Sequence, residues 1–262
     1  MNQIEVLVAT MNQGKEDLAL ADKMNLQTDA LIINQTDTVH FSETHVHEKH
    51  IQMYSFNERG VGLSRNNALM RAKASICMMA DDDMVYVDGY EKIVMDAYAK
   101  YPDADFIVFN VRIHYQDRTE ERVKKEGKVS FFNSLRYGTV TFSFKRESIL
   151  KKNMSFSLLF GGGTNHGSGE DSLFIWTALK KGLKVYAVPD IIADVYNYES
   201  SWFQGYTDKF YYDKGALFKA LEPRLYPLLN LQFAIRKQKA YGSKKNIRDI
   251  YRLMNKGSQG MQ

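Results

Sequence analysis

Three adjacent carboxylates, Asp81-Asp82-Asp83, stand directly after an apolar run at residues 75–80. Charges of one sign at this spacing repel one another, and leaving them unpaired at the edge of a sheet is costly. A divalent cation relieves the repulsion, and all-oxygen ligation suits a hard ion, Mn²⁺ or Mg²⁺, that keeps positions open for phosphate oxygens. The plainer reading of the same residues is a solvated turn capping the next helix. A second reactive grouping is weaker. His40, His45, His47 and His50 fall within eleven residues, but no cysteine accompanies them and no helical spacing repeats, so a solvated loop is preferred to a zinc site. The glycines at 161–163 form no phosphate-cradling P-loop, because no Gly-Lys-Ser/Thr follows; they suit a loop that closes over substrate.

The elements around these residues alternate. Residues 4–10, 30–33, 51–56, 75–80 and 105–111 read as strands. Helical spacing recurs at 14–24, with Leu18, Ala21 and Met24 on one face, and again at 62–73 and 88–100. Such alternation predicts βαβ units, a largely parallel sheet and helices on both faces. In such sheets ligands bind beyond the carboxyl ends of the strands. Thr10, Asn34 and Asp81 to Asp83 lie just past predicted strand ends and are therefore expected to converge on one crevice. Further on, 118–128 reads as a charged, exposed segment, 138–144 as a strand, 161–169 as a flexible glycine-rich loop, 171–181 as a helix and 183–188 as a strand. Past residue 200 the pattern turns helical.

The stretch before the aspartates carries a family resemblance. Glu58-Arg59-Gly60-Val61-Gly62-Leu63-Ser64-Arg65-Asn66-Asn67-Ala68, then Ala72, an apolar strand and Asp81-Asp82-Asp83, resembles the family two glycosyltransferases in order and spacing. Val8-Ala9-Thr10-Met11-Asn12 is similar to the family's first nucleotide-contacting loop, and Gly169-Glu170-Asp171-Ser172-Leu173-Phe174 to its acceptor-side acidic motif. The resemblance implies a GT-A fold, Rossmann-like with a mostly parallel sheet flanked by helices, over residues 1–199, and leaves 200–262 as a helical, basic extension. It implies a nucleoside diphosphate sugar donor, UDP foremost, and inversion at the anomeric carbon. Asp83, with Asp81, then looks like the metal ligand. Asp81 and Asp82 look like contacts to donor ribose and sugar or to the metal shell, and Arg65 like a nucleotide contact through its fixed fork of donors. Thr10 and Met11 fall in the nucleotide loop. Asp171 is the candidate base that takes the acceptor proton, with Glu170 the alternative; as plain helix-starting acids they would merely favour the N-terminus. The chain departs from the family at Asn34-Gln35, where an aspartate pair is usual; the Asn34 amide retains an oxygen for a base edge. Asn197 stands near the family's metal-binding histidine, and His166 lies close before the acids.

Composition bounds the rest. No run of about 18 apolar residues occurs, residues 1–10 lack a signal-peptide pattern, and the one cysteine, Cys77, sits in an apolar run as a buried thiol. A cytoplasmic location follows as the expectation. From Leu231 onward, eight basic residues face one acidic residue, a balance of +7 in a chain whose total is +4. Residues 225–234 followed by Arg236, Lys237 and Lys239 suggest an interfacial helix docking on an anionic inner leaflet, where a lipid-linked glycan acceptor would reside. The aromatic run Tyr196, Tyr198, Trp202, Phe203, Tyr206 suits sugar stacking or core packing equally. Nucleic acid is disfavoured because basic residues concentrate only at the end. The alternatives are a non-catalytic nucleotide- or glycan-binding module and a sugar-nucleotide nucleotidyltransferase, the latter lacking its glycine- and lysine-rich loop.

Overall fold

The computed structural model describes residues 3–14, 19–46, 49–196, 205–238 and 245–261. Leu18, His47, Asn197, Tyr198, Trp202, Phe203, Lys239 and Lys244 therefore lie outside the described residues. The chain runs β1 (Ile4–Met11), α1 (Ala19–Lys23), β2 (Asp29–Gln35), β3 (His40–Val46), β4 (Lys49–Phe56), α2 (Val61–Arg71), β5 (Ile76–Asp81), β6 (Met84–Tyr86), α3 (Tyr90–Lys100), β7 (Phe106–His114), β8 (Thr119–Glu121), β9 (Gly127–Lys128), β10 (Phe142–Lys145), α4 (Arg146–Lys151), α5 (Glu170–Lys180), β11 (Val185–Tyr196), α6 (Asp208–Leu221), α7 (Tyr226–Lys237) and α8 (Ile247–Gly260).

One sheet organises these elements, in the order β3-β4-β2-β1-β5-β10-β7-β11-β6 with β8 on β7 and β9 on β11. The unit β4-β2-β1-β5 is parallel. β10 then enters antiparallel between β5 and β7, and β7 pairs parallel with β11. The sheet is therefore mixed; its tight hairpins are β3–β4 and β7–β8, whose short connections only antiparallel pairing accommodates. Strand side chains alternate between two faces: Val6 and Val8 join Tyr90 and Val94 on one side, whereas Leu7 joins Ala68, Leu69 and Ile175 on the other. The sheet is thus sandwiched by α1 and α3 on one face and by α2, α4 and α5 on the other. Cys77 is buried within the second layer, and burial pushes its thiol far above the ordinary value.

Three sequence expectations change. The histidine-rich segment is not a loop: His40, His45 and His50 sit on the antiparallel pair β3–β4, whose alternating polar pattern is that of an edge hairpin. The charged segment 118–128 contains β8 and β9, anchored by Val123 at 1% exposure. The strand read from 138 starts only at Phe142, after a 3₁₀ turn at Thr139–Thr141.

The C-terminal helices are docked. Leu217 and Leu221 of α6 pack against Phe160 and Trp176, and Ile250 and Met254 of α8 pack with Tyr211 and Ala234. α6 and α8 approach closely enough that a Cβ at Gly215 would lie 1.8 Å from the Met254 carbonyl oxygen, and one at Gly257 1.9 Å from that of Tyr212. Asn230 of α7 donates to Asn255 and Ser258, and the Ser258 hydroxyl donates to the Gly215 carbonyl at 2.7 Å. Among the described residues the basic end is therefore built into the fold rather than a solvated tail. No helix of the described residues is long and apolar enough to cross a membrane.

Candidate functional site

The carboxyl ends of β1, β2 and β5 are in register, with Thr10 opposite Asn34 and Ala9 opposite Asp81. Parallel pairing thereby brings Thr10, Asn34 and the aspartates to one edge. Thr10, 3% exposed, donates its hydroxyl to Asp82 at 2.5 Å and accepts from the Gln13 amide. Met11, at the strand's end, is 40% exposed and open to a ligand.

Asn34 differs from its expected role. It is 0% exposed; its amide oxygen accepts the Gln13 backbone N–H, and its amide nitrogen donates to the Gln13 carbonyl and to Ser55. A side chain so satisfied fastens the loop after β1. Its neighbour Gln35 does similar work, accepting the Gly60 N–H at 2.7 Å. The amides thus replace charge with loop anchorage.

Arg65 is engaged within the protein. Its side chain is 4% exposed, with Nη1 2.8 Å from Glu170 and Nη2 2.9 Å from Asp81. It is a buried strut between the acid at the end of β5 and the acid that opens α5. Burial alone would lower its basicity, but Asp81 and Glu170 outweigh burial and hold it charged. Gly161, at φ +105°, fits here because a Cβ would lie 2.8 Å from the Glu170 carboxyl and 2.7 Å from Val61. The glycine segment expected to be flexible is tied down: Gly161 N–H donates to His166, Gly162 accepts from Val61, and the Thr164 hydroxyl bonds within the loop.

The two acids divide. Glu170 is 9% exposed and accepts both Arg65 and the Gly169 N–H; burial and neighbouring Asp171 raise its carboxyl, against the pull of Arg65. Asp171 is half-buried, one oxygen accepting the Ser172 N–H at 2.6 Å. Asp171 is thus the more accessible of the two carboxylates.

Asp83 is exposed at this edge, and its carboxyl is raised to about 7, first by desolvation from the surrounding protein and then by the charges of Asp81 and Asp82. Asp81 has Arg65 and Asp82 has the Thr10 hydroxyl; that residual repulsion on Asp83 is what a hard cation would relieve. The donor set, all carboxylate oxygen, fits Mn²⁺ or Mg²⁺ in type. Among the described residues, however, no three or more His, Cys, Asp or Glu side chains gather as a preformed metal cage.

α6 supplies residues that sequence reading missed. Lys214 is half-buried, and desolvation lowers its ammonium while Asp171, Glu170 and Asp213 pull it back up. Asp213 lies 2.9 Å from His166 Nδ1 and 2.8 Å from Lys209, which turns His166 toward the helical extension. On β11, Asp194 pairs with Arg112 and His114, and the Tyr196 N–H donates to the Asp83 carbonyl. No local signal marks Lys214 or Asp194, since helix packing and a strand register bring them in.

No family model matches the sequence, and no curated protein matches it. Solved structures do. The crystal structure of Staphylococcus aureus TarS residues 1–349 in complex with UDP-GlcNAc is similar at a TM-score of 0.63 and 13% identity, covering 98% of this chain and 92% of that one. The UDP complex of the same fragment gives 0.62 and 14%, covering 99% and 83%. Against the longer TarS structure the TM-score is 0.62 and the identity 14%, and this chain spans 50% of that length. TarS is a glycosyltransferase of the GT-A fold, and the likeness shows that this chain carries the same fold.

Proposed function

We propose that the chain is an inverting glycosyltransferase that moves a sugar from a nucleoside diphosphate donor, UDP-linked foremost, to an acceptor hydroxyl on a glycan or lipid-linked glycan. One observation carries the reading: Arg65 joins Asp81 and Glu170, so the aspartates at the end of β5 and the acids of α5 lie side by side, as a donor side and an acceptor side must. The GT-A fold and the nucleotide complexes of TarS support the donor class.

In this reading Asp171 accepts the acceptor proton as the oxygen attacks the anomeric carbon, and the nucleoside diphosphate departs from the opposite face. Glu170 and Arg65 hold the start of α5 so that Asp171 stays in place. Thr10 orients Asp82, and Asn34 and Gln35 fix the loops that frame the nucleotide. Asp83, with Asp81, would hold Mn²⁺ or Mg²⁺, which supplies charge neutralisation of the departing diphosphate. A nucleotidyltransferase would need a different phosphate loop after β1, where this chain places Gln13 on Asn34.

The test is thermal denaturation with UDP, with and without Mn²⁺. A ligand of the native state raises Tm. UDP is expected to raise it more with Mn²⁺ than without, and Asp83→Ala to erase that increment while keeping the unliganded Tm. No UDP shift at millimolar concentration in either condition would overturn the reading.

A further inference from the structure

Two stretches of the chain carry cations beside exposed apolar side chains, and the fold makes them neighbours. Residues 122–136 hold Arg122, Lys124, Lys125, Lys128 and Arg136 against one acid, Glu126. Lys100 takes that acid at 2.6 Å, and Glu120 takes Arg122 at 3.3 Å. Lys124, Lys125, Lys128 and Arg136 have no carboxylate partner among the described residues; Lys128 and Arg136 lie over the Tyr186 and Tyr137 rings. All four, with Glu126, line a depression of about 350 Å³. The same stretch turns sharply at 130–133, where Asn133 Oδ1 accepts the Ser130 N–H at 2.8 Å and the Ser130 carbonyl accepts the Asn133 and Ser134 N–H groups. This tied turn projects Phe132, which is 101% exposed, while Phe131 rests edge-on against Trp176.

The second stretch is α7. It presents Leu228, Leu231 and Ile235 outward, at 66%, 42% and 56% exposure, while Asn230 and Ala234 face the fold. Their spacing places the three on one helical face. Residues 223–237 contain no acid, and Arg236 follows the apolar face without a carboxylate partner among the described residues. Phe132 and Arg136 border one side of a cleft whose other side is Leu228 and Arg236, so the turn and the helix stand next to each other.

Apolar side chains that project outward beside unpaired cations suit a partner that is anionic at its surface and apolar beneath it. Single-stranded nucleic acid would use the phenylalanine as a stacking platform but leave the aliphatic face of α7 unused. A second copy of the chain would set the same cations against one another, which is costly. We propose that this face docks on an anionic bilayer, with Phe132 and the outer side of α7 entering the headgroup layer and Lys124, Lys125, Lys128 and Arg136 meeting the lipid phosphates. The cleft between turn and helix reaches Ser172, the residue after Asp171, so docking sets the candidate acceptor side against the lipid surface. That last consequence alone rests on the transfer proposed above.

The test is co-sedimentation of the full chain with vesicles of phosphatidylcholine, alone or mixed two to one with phosphatidylglycerol. Partitioning is expected to be about tenfold or more stronger on the anionic vesicles and to fall with added salt, because the attraction decays within a Debye length. Phe132→Ser and Lys124→Glu change exposed side chains. Each is expected to weaken partitioning about fivefold or more at unchanged Tm, the fold-change of about 1 kcal/mol per lysine near such a surface. Lys23→Glu, an equal change of charge at an exposed position of α1, is expected to leave partitioning unaltered. Partitioning that is absent, equal on neutral and anionic vesicles, or indifferent to Phe132→Ser and Lys124→Glu overturns the docking. A dimer in light scattering that Phe132→Ser dissociates overturns it in favour of a second copy. Oligothymidylate binding that Phe132→Ser abolishes, with vesicle binding unchanged, overturns it in favour of nucleic acid. A Tm shift with UDP but no vesicle binding removes the docking alone; vesicle binding with no UDP shift removes the proposed transfer and leaves the docking.

Discussion

Arg65 Nη1 lies 2.8 Å from Glu170 Oε1, joining residues 105 positions apart in the chain. The same guanidinium holds the half-buried Asp81, so three charges from α2, β5 and α5 form one unit around the buried Arg65 and Glu170. Removing one partner of such a unit leaves an uncompensated buried charge, which costs about 3–5 kcal/mol. Arg65→Met is therefore expected to lower stability by about that amount in urea denaturation. Arg65→Lys should recover a minor part, because a point charge cannot span both acids. A loss under about 1 kcal/mol in Arg65→Met would show that the strut is weak.

The division between the α5 acids predicts opposite phenotypes. Asp171→Asn is expected to lose about 10²–10⁴-fold in kcat for sugar transfer, the usual worth of a general base, with Tm and UDP binding retained. Glu170→Gln is expected to lower Tm through Arg65, with a smaller direct effect on the proton transfer. The measurement is paired kinetics and thermal denaturation. If Glu170→Gln keeps its Tm and loses turnover, the roles are reversed.

Gly215 tests the docking of α8. Alanine in an exposed helix would stabilise by about 1 kcal/mol relative to glycine. Here the added Cβ meets the Met254 carbonyl oxygen at 1.8 Å, and overpacking of this kind costs about 3 kcal/mol or more. Gly215→Ala is expected to lower Tm and to increase hydrogen exchange across 247–260. Truncation at residue 236 would likewise strip Ile250 and Met254 from their contacts with Tyr211, so charge reversal at Arg236 and Lys237 is the cleaner probe of this basic surface.

Stability should carry a pH signature from Glu5. The residue is 7% exposed; burial raises its carboxyl above the ordinary 4.5, although the Lys73 and Ala74 backbone N–H groups pull it down. A raised value in the folded state means that folding takes up a proton. The contribution is fully present below pH 4.5 and is lost as pH rises through the folded value. Glu5→Gln should therefore gain stability relative to the parent as pH increases from 4 to 8, read from denaturation midpoints. A difference that stays flat across this range would refute the raised value.

Much of the first half was legible from local pattern. The apolar run of β1 reads as a strand buried on both faces, and the runs before Asn34 and Asp81 read the same way, so their parallel pairing and shared edge follow. The histidine hairpin was missed because β3 alternates polar with partly buried residues at a sheet edge and lacks the apolar run that marks an interior strand.

By itself the sequence determined that acids would gather at the carboxyl edge of a parallel sheet, because strand period, chirality and strand ends are local properties. Only tertiary structure decided how those acids are used. It turned Arg65 inward, occupied every group of the Asn34 amide, buried Glu170 while leaving Asp171 accessible, and brought Lys214 in from α6. The physical reason is that side-chain partners are chosen by packing between elements far apart in the chain, and desolvation makes each unpaired buried charge so costly that the partner found in space, not the neighbour in sequence, fixes the role.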